Sequence, residues 1–376
     1  YSFDRRQKWL GMWIGTWCNQ DDTTRKCKTL CKKGKVLSMS FLGEENFSHE
    51  DKQKIGVIIC NLGSPDSYST KDVRKYLREF LSDTRVIEVP KIIWWLVLNL
   101  FILPFRPRKS AALYKSVWLE EGSPLLVYSK RFLSKIKNLN ENSESIEFEL
   151  AMRYGNPSLE KALLSLKEKN CRKILLLPLF PQYSAVTAAT IFDKVSAILS
   201  KWRWVPSLHF VSGYHDNSEY INSLANTIKT HEFYGKQDKV VFSYHGIPKK
   251  YFEEGDPYHC FCQKTSRLVS EALGLEENQY ITSFQSRLAA AGREWLKPYT
   301  SELMEKLPKE GVKKILILSP GFSMDCLETI EEIDEENKEI FLDSGGEAFH
   351  YIACLNDNED HVEAINNLIV NKISHL

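Results

Sequence analysis

Net charge, long apolar runs and paired cysteines are all scarce in this chain of 376 residues. Its 50 Lys and Arg nearly cancel its 49 Asp and Glu, leaving +1, so the broad basic footprint of a nucleic-acid binder is missing. No apolar segment reaches the roughly 18–20 residues that span a bilayer, and the first residues lack the continuous apolar core of a secretory signal. Neither G-x-G-x-x-G nor G-K-[ST] occurs. Asn61-Leu62-Gly63-Ser64-Pro65 lies where a phosphate loop would lie, but without either signature it is a weak phosphate signal. The 9 cysteines are Cys18, Cys27, Cys31, Cys60, Cys171, Cys260, Cys262, Cys326 and Cys354. The number is odd and the chain too long to need staples, which indicates a reducing compartment without structural disulfides. Cys260 and Cys262 have no second pair to complete a metal cage, so they are read as ordinary thiols.

What is present is the composition of a globular protein, 43% hydrophobic and 26% charged, long enough for two domains. Residues 1–38 stand apart, with nine basic against three acidic residues and Trp9, Trp13 and Trp17 at a spacing of four. Residues 1–50 are expected to be an N-terminal extension, disordered or foreign to the domain. The same basic, acid-poor character fits an imported transit segment, and the tryptophan stripe fits a membrane-surface helix.

Eight short apolar runs read as strands: Ile55–Leu62, Phe148–Met152, Lys173–Leu179 and Leu208–Val211, then Val240–Tyr244, Tyr280–Ser283, Lys314–Ser319 and Ala348–Ala353. Helical patterns lie between them. In Thr70–Asp83 the residues Val73, Tyr76, Leu77, Phe80 and Leu81 form one stripe, with Ser69 or Thr70 as the cap. This alternation predicts parallel sheets with covered faces. Asn61–Pro65 and Tyr244–Pro248 close the first strand of each half alike, and Cys171–Pro178 parallels Val312–Ser319. The expected fold is α/β, two similar Rossmann-like domains, each with a four-stranded parallel sheet flanked by helices. Their expected bounds are 53–213 and 214–355, followed by a C-terminal helix at 356–376. Within the first domain, Ile92–Phe105 is nearly all apolar and lies between Lys91 and the Arg106, Arg108, Lys109 flank. A core helix is one reading. Pro104, Pro107 and the basic flank favour the other, an exposed apolar lip at 91–107.

Asp325-Cys326-Leu327-Glu328 opens an acidic stretch that runs to Glu336. On a helix Glu328, Glu332 and Glu336 stack at i, i+4 and i+8, with Asp325 three residues earlier on the same side. Stacked like charges are unfavourable, so such a ridge either faces water or handles cations and protons. It follows a strand, as does His245, and the carboxyl ends of strands are where open α/β sheets place ligands. His245 and Glu328 are therefore expected to face one pocket, suited to a divalent cation, to proton abstraction, or to both. Arg153, Tyr154, Trp295 and Phe322 sit at or near equivalent strand ends.

These residues, with Tyr76–Asp83, Glu121–Leu125, Met152–Gly155, Pro178–Ser184, Ser243–Pro248, Gly255–Tyr258 and Asp325–Thr329, make the chain resemble the ferrochelatase family from about Lys54 to about Leu355. Members insert iron(II) into protoporphyrin IX to form protohaem. The resemblance implies a porphyrin cleft between the domains and no organic cofactor, with Fe(2+) as a substrate. It implies His245 and Glu328 as catalytic and metal-handling residues, and Asp325, Glu332 and Glu336 as a proton or cation relay. Arg153, Tyr154, Trp295, Phe322 and Leu62 fall on the porphyrin pocket, and the lip on a part that can touch a membrane. Animal members have a histidine at the position of Cys326, a cluster cysteine at that of Ala185, and further cysteines in a C-terminal extension. No iron–sulfur cluster is therefore expected, and the type is bacterial: cytoplasmic, peripheral on the inner face of the membrane. The rival readings are a coproporphyrin ferrochelatase or related chelatase, and a haem- or iron-binding protein, which would need an export signal.

Overall fold

The computed structural model describes residues 41–44, 48, 50–287 and 294–375; the expectations for residues 1–38, and for Cys18, Cys27 and Cys31, fall outside them. Tyr1–Gly43 with Lys201–Arg203 count as a separate small unit, whose described part pairs Leu42 with Trp202. The main unit is Glu44–Ser200 with Trp204–Leu376.

All eight apolar runs are strands. β1 (Lys54–Asn61), β2 (Ile146–Met152), β3 (Cys171–Pro178) and β4 (Ser207–Phe210) form one sheet, in the order β2-β1-β3-β4. β5 (Lys239–His245), β6 (Tyr280–Gln285), β7 (Lys314–Leu318) and β8 (Ala348–Ile352) form a second, in the order β6-β5-β7-β8. Every pairing is parallel. The two orders are the same permutation, as a duplicated unit requires. The central runs β1, β3 and β7 carry no polar alternation because both faces are covered: Val57–Cys60, Ile174–Leu177 and Ile315–Ile317 have no exposed surface. One apolar cluster joins Val57 and Leu175 of the first sheet to Phe242 and Leu316 of the second.

Thr70–Leu81 is the expected helix, and Ser69 is its cap, its hydroxyl accepting from Asp72 N at 3.2 Å. The apolar run at 92–105 is helical in three pieces, Lys91–Val97, a π-wound turn Leu98–Ile102, and Leu103–Val117. Leu98 and Leu103 of that run are buried, and Trp94 and Ile102 pack partly buried beside them, while Ile92 is 81%, Trp95 61%, Phe101 66% and Phe105 73% exposed. The core-helix alternative is thereby set aside. The last helix, Glu359–Ile373, packs against Pro124–Leu139 and Ser218–Lys229. It returns to the first half, with Asn140 Nδ2 donating to Asn366 Oδ1 at 2.6 Å.

In each sheet the connections diverge from the first strand to opposite sides. The crevice at this switch lies beyond the carboxyl ends of β1 and β3 in one half, and of β5 and β7 in the other.

Candidate active site

His245 is the last residue of β5 and half-buried. Its Nδ1 lies 2.7 Å from Gly246 O. A carbonyl oxygen only accepts, so Nδ1 carries the hydrogen and Nε2 keeps the lone pair of the neutral ring. The turn after it needs glycine, because a Cβ on Gly246 would come within 2.8 Å of Gln285 O and 3.3 Å of the Trp295 ring. Phe322 flanks the imidazole, ring centroids 6.4 Å apart.

The acidic segment leaves the end of β7, the strand beside β5. After one short turn, Leu327–Thr329, the helix from Ile330 to Asn337 is π-wound. This differs from the α-helix the i, i+4 spacing suggests. The i→i+5 bonds of a π-helix widen each turn to a little over four residues, so side chains four apart still stand in a column. Asn337 Nδ2 donates to Glu332 O at 2.6 Å, across this wide turn. Glu328 and Glu332 are half-buried and Glu336 is exposed, so the column runs from the interior to water. Burial pushes the Glu332 carboxyl above its ordinary range, against the pull of hydrogen bonds from Ser286 and of the nearby His245. Burial, then Glu336 and Glu332, push Glu331 up as well.

Asp325 does not join the column. It precedes the helix, fully buried, and accepts from Tyr351 OH (2.6 Å), Asn356 Nδ2 (2.6 Å), Thr329 Oγ1 (2.9 Å) and Cys354 N (3.3 Å). These donors saturate the carboxylate and make it an anchor under the column. Arg153 and Tyr154 likewise stand behind the pocket wall. The Arg153 guanidinium pairs with Asp83, its Nε donating to Thr190 Oγ1 at 2.7 Å, and the buried Tyr154 donates to Asp83 at 2.9 Å. With its guanidinium engaged in this way, Arg153 does not line the slot between the halves. The backbone of Tyr154 supports the wall at Gly63 (φ +111°), where a Cβ would overlap Tyr154 O at 1.9 Å.

Between the halves lies a slot. Its empty space, mouth included, is about 480 Å³. One wall comes from the first half (Asn61–Ser64, Tyr76, Tyr114, Val117, Ser123–Leu125, Phe180), the other from Phe322 and Cys326–Glu328. Leu62, Phe322 and Glu328 thus line one slot. His245 stands beside this lining, against Phe322, and Trp295 packs on Gly246 next to it. The sequence assigns no site role to the hydroxyls of Tyr76, Tyr114, Ser64 and Ser123, although Tyr76, Ser64 and Ser123 lie in segments that carry the resemblance. Ser64 Oγ and Ser123 Oγ are 2.5 Å apart, and Tyr76 OH donates to Gly63 O at 3.1 Å.

Gln285 and Ser286 were missed as well. Gln285 faces His245 across the β5–β6 pairing, and Gly246 N donates to its backbone oxygen at 2.8 Å. Its side-chain Nε2 donates to Glu328 O at 2.7 Å. One residue therefore ties the histidine strand to the acidic helix. Among the described residues, no three His, Cys, Asp or Glu converge to hold an ion, so His245 and the acids form an open set. Six cysteines are described, all free; Cys260 is exposed and Cys262 buried, on different faces of one helix.

The family model described as Ferrochelatase matches residues 54–373. The ferrochelatase of Idiomarina loihiensis is 48% identical over 338 residues, covering 89% of this chain and 92% of that protein. That of Thioalkalivibrio sulfidiphilus is 48% identical over 338 residues, covering 89% and 91%. Among solved structures, SirB from Bacillus subtilis with Fe3+ aligns with a TM-score of 0.52 at 11% identity, over 85% of this chain and 95% of that one. At that identity the likeness concerns the fold alone.

Proposed function

The chain belongs to the ferrochelatase family, and on that premise we propose how its residues divide the work of placing ferrous iron in protoporphyrin. The reaction exchanges Fe(2+) for the two pyrrole protons of protoporphyrin IX and yields protohaem. It moves protons and a cation but no electrons, so it requires no redox centre. Ala185 stands where animal members have a cluster cysteine, so the chain is read as working without an iron–sulfur cluster, and without an organic cofactor; sulfide analysis of the purified protein checks the first.

The porphyrin occupies the slot between Leu62 on one wall and Phe322 on the other. Its flat apolar face suits aromatic and aliphatic walls, and the hydroxyls of Tyr114, Ser64 and Ser123 suit its carboxylate edge. His245 accepts the pyrrole protons at Nε2, the nitrogen that its Gly246 contact leaves free. Glu328 works at the macrocycle and handles the metal with His245. Glu332 and Glu336 pass protons or cations between this point and solvent. Arg153 and Tyr154 shape the pocket indirectly, from behind the wall at Gly63, and Asp325 fixes the start of the acidic helix. The apolar lip guides the substrate and rests on a membrane surface, with its basic flank at the headgroups. Among the described residues no helix is long and apolar enough to cross a membrane, so this contact would be peripheral.

The observation that carries the reading is the meeting of His245 and the acidic column at the ends of neighbouring strands, joined through Gln285. The test is His245→Ala, assayed with Fe(2+) or Zn(2+) and protoporphyrin by visible absorption. Insertion is expected to fall by at least about a hundredfold, the usual scale of a positioned proton acceptor, while porphyrin binding persists. Turnover close to the parent's would remove His245 from this role.

A further inference from the structure

Ser286 follows β6 directly and has φ +62°. This left-handed conformation is uncommon for a residue with a Cβ, and glycine adopts it without that penalty. Serine must therefore bring something that glycine lacks. Its backbone N donates to Glu332 Oε1 at 2.6 Å, and its Oγ donates to Glu332 Oε2. Both carboxylate oxygens are thus gripped by one residue. The amide of Gln285 backs this grip and is itself fixed at both ends. Its Oε1 accepts from Ser243 Oγ (2.9 Å) and Ser319 Oγ (3.3 Å), and its Nε2 donates to Glu328 O (2.7 Å) and Glu332 Oε2 (3.4 Å). Four partners satisfy the whole buried amide, which leaves it one orientation.

We propose that Ser286, backed by Gln285, is a positioning clamp for Glu332, and that its hydroxyl is the reason a serine stands where glycine would be less strained. The clamp rests on the reading of Glu332 as a relay. A π-wound helix offers its side chains a wide, loosely spaced turn, and an unclamped Glu332 could swing off the column. Gripped at both oxygens, it stays within electrostatic reach of His245 and Glu328.

Because conformational strain and the hydroxyl grip oppose each other, two substitutions separate them. Ser286→Gly relieves the left-handed backbone and keeps the N–H, but loses the hydroxyl. Its melting temperature is expected at or above the parent's, while kcat falls about tenfold, the scale of one hydrogen bond to a charged group, with KM for protoporphyrin within about twofold. Ser286→Thr keeps a hydroxyl but adds β-branching at positive φ. It should melt lower yet recover most of the kcat that the glycine variant loses. Insertion kinetics and thermal unfolding are measured on the full chain for both, for Glu332→Gln and for Ser286→Gly with Glu332→Gln. The double variant should be no slower than Glu332→Gln alone. A glycine variant with parental kcat, or a threonine variant as slow as the glycine one, overturns the clamp. If Glu332→Gln itself turns over at the parental rate, the relay reading fails, and with it the clamp's purpose.

Discussion

Glu332 carries two opposed influences: burial, which favours its neutral form, and the Ser286 donors with His245, which favour the charge. Burial prevails, so the folded carboxyl holds its proton more tightly than its ordinary value of 4.5. The stability this group contributes is present below its unfolded pKa and lost as pH rises through the folded one. Ionised Glu332 therefore opposes folding near neutrality. Glu332→Gln should melt higher than the parent at pH 7–8 and show no gain near pH 4, while insertion slows because a fixed amide cannot pass a proton. A parental rate, or a stability gain independent of pH, would contradict this. At this scale the sequence was only partly legible. His245 and Glu328 were readable because each follows an apolar run that can only be a buried strand. Arg153 and Asp325 were placed at the right strand ends but in the wrong company. Their partners lie far away in sequence, Asp83 for one and Tyr351 and Asn356 for the other, and no local pattern announces an ion pair between such distant positions.

At the scale of elements, hydrophobic pattern and helix winding differ in what they reveal. The four-residue spacing of acids is compatible with an α- or a π-helix, because both keep side chains four apart on one side. The winding depends on packing around Ile333 and Asn337, both buried, and so could not be read in advance. The apolar lip could be read, since a run with no polar face must be either buried or deliberately exposed, and Pro and Arg at its end argue against burial. Its exposed side chains give the element its prediction. Trp95→Ser with Phe101→Ser removes two large apolar contacts, each worth about 1.5–3 kcal/mol when buried. Binding to anionic liposomes should drop by at least about tenfold, measured by sedimentation. KM for protoporphyrin should rise, and the melting temperature should change little because these side chains already face water. The same lip should favour protoporphyrin over the more carboxylated coproporphyrin; comparing insertion rates on the two decides between them.

For the whole molecule the decisive fact is how firmly the halves are joined. Asp256, from the second half, accepts from Ser184 Oγ at 2.9 Å and Ala185 N at 2.7 Å, in the first. The final helix reinforces the joint with His361, buried against Phe132 with ring centroids 4.9 Å apart, its Nδ1 2.7 Å from Asn356 O. Burial pulls the His361 pKa from 6.5 down to about 4. Above about pH 6.5 both folded and unfolded chains carry it neutral and the joint is intact. As pH falls from 6.5 towards 4 only the unfolded chain takes up the proton, so stability declines, by about 3 kcal/mol in all. His361→Phe keeps a ring against Phe132 and should flatten the dependence of unfolding free energy on pH across that window by about one proton, as read from denaturant titrations. An unchanged slope would place the acid sensitivity elsewhere.

The apolar core that runs unbroken from Val57 to Leu316 also limits how a rigid disc can enter and leave. Prising the sheets apart like a hinged shell would tear that shared interior, so admission and exit fall to the rim. The macrocycle and its metallated product would then share one thin edge as their way in and out.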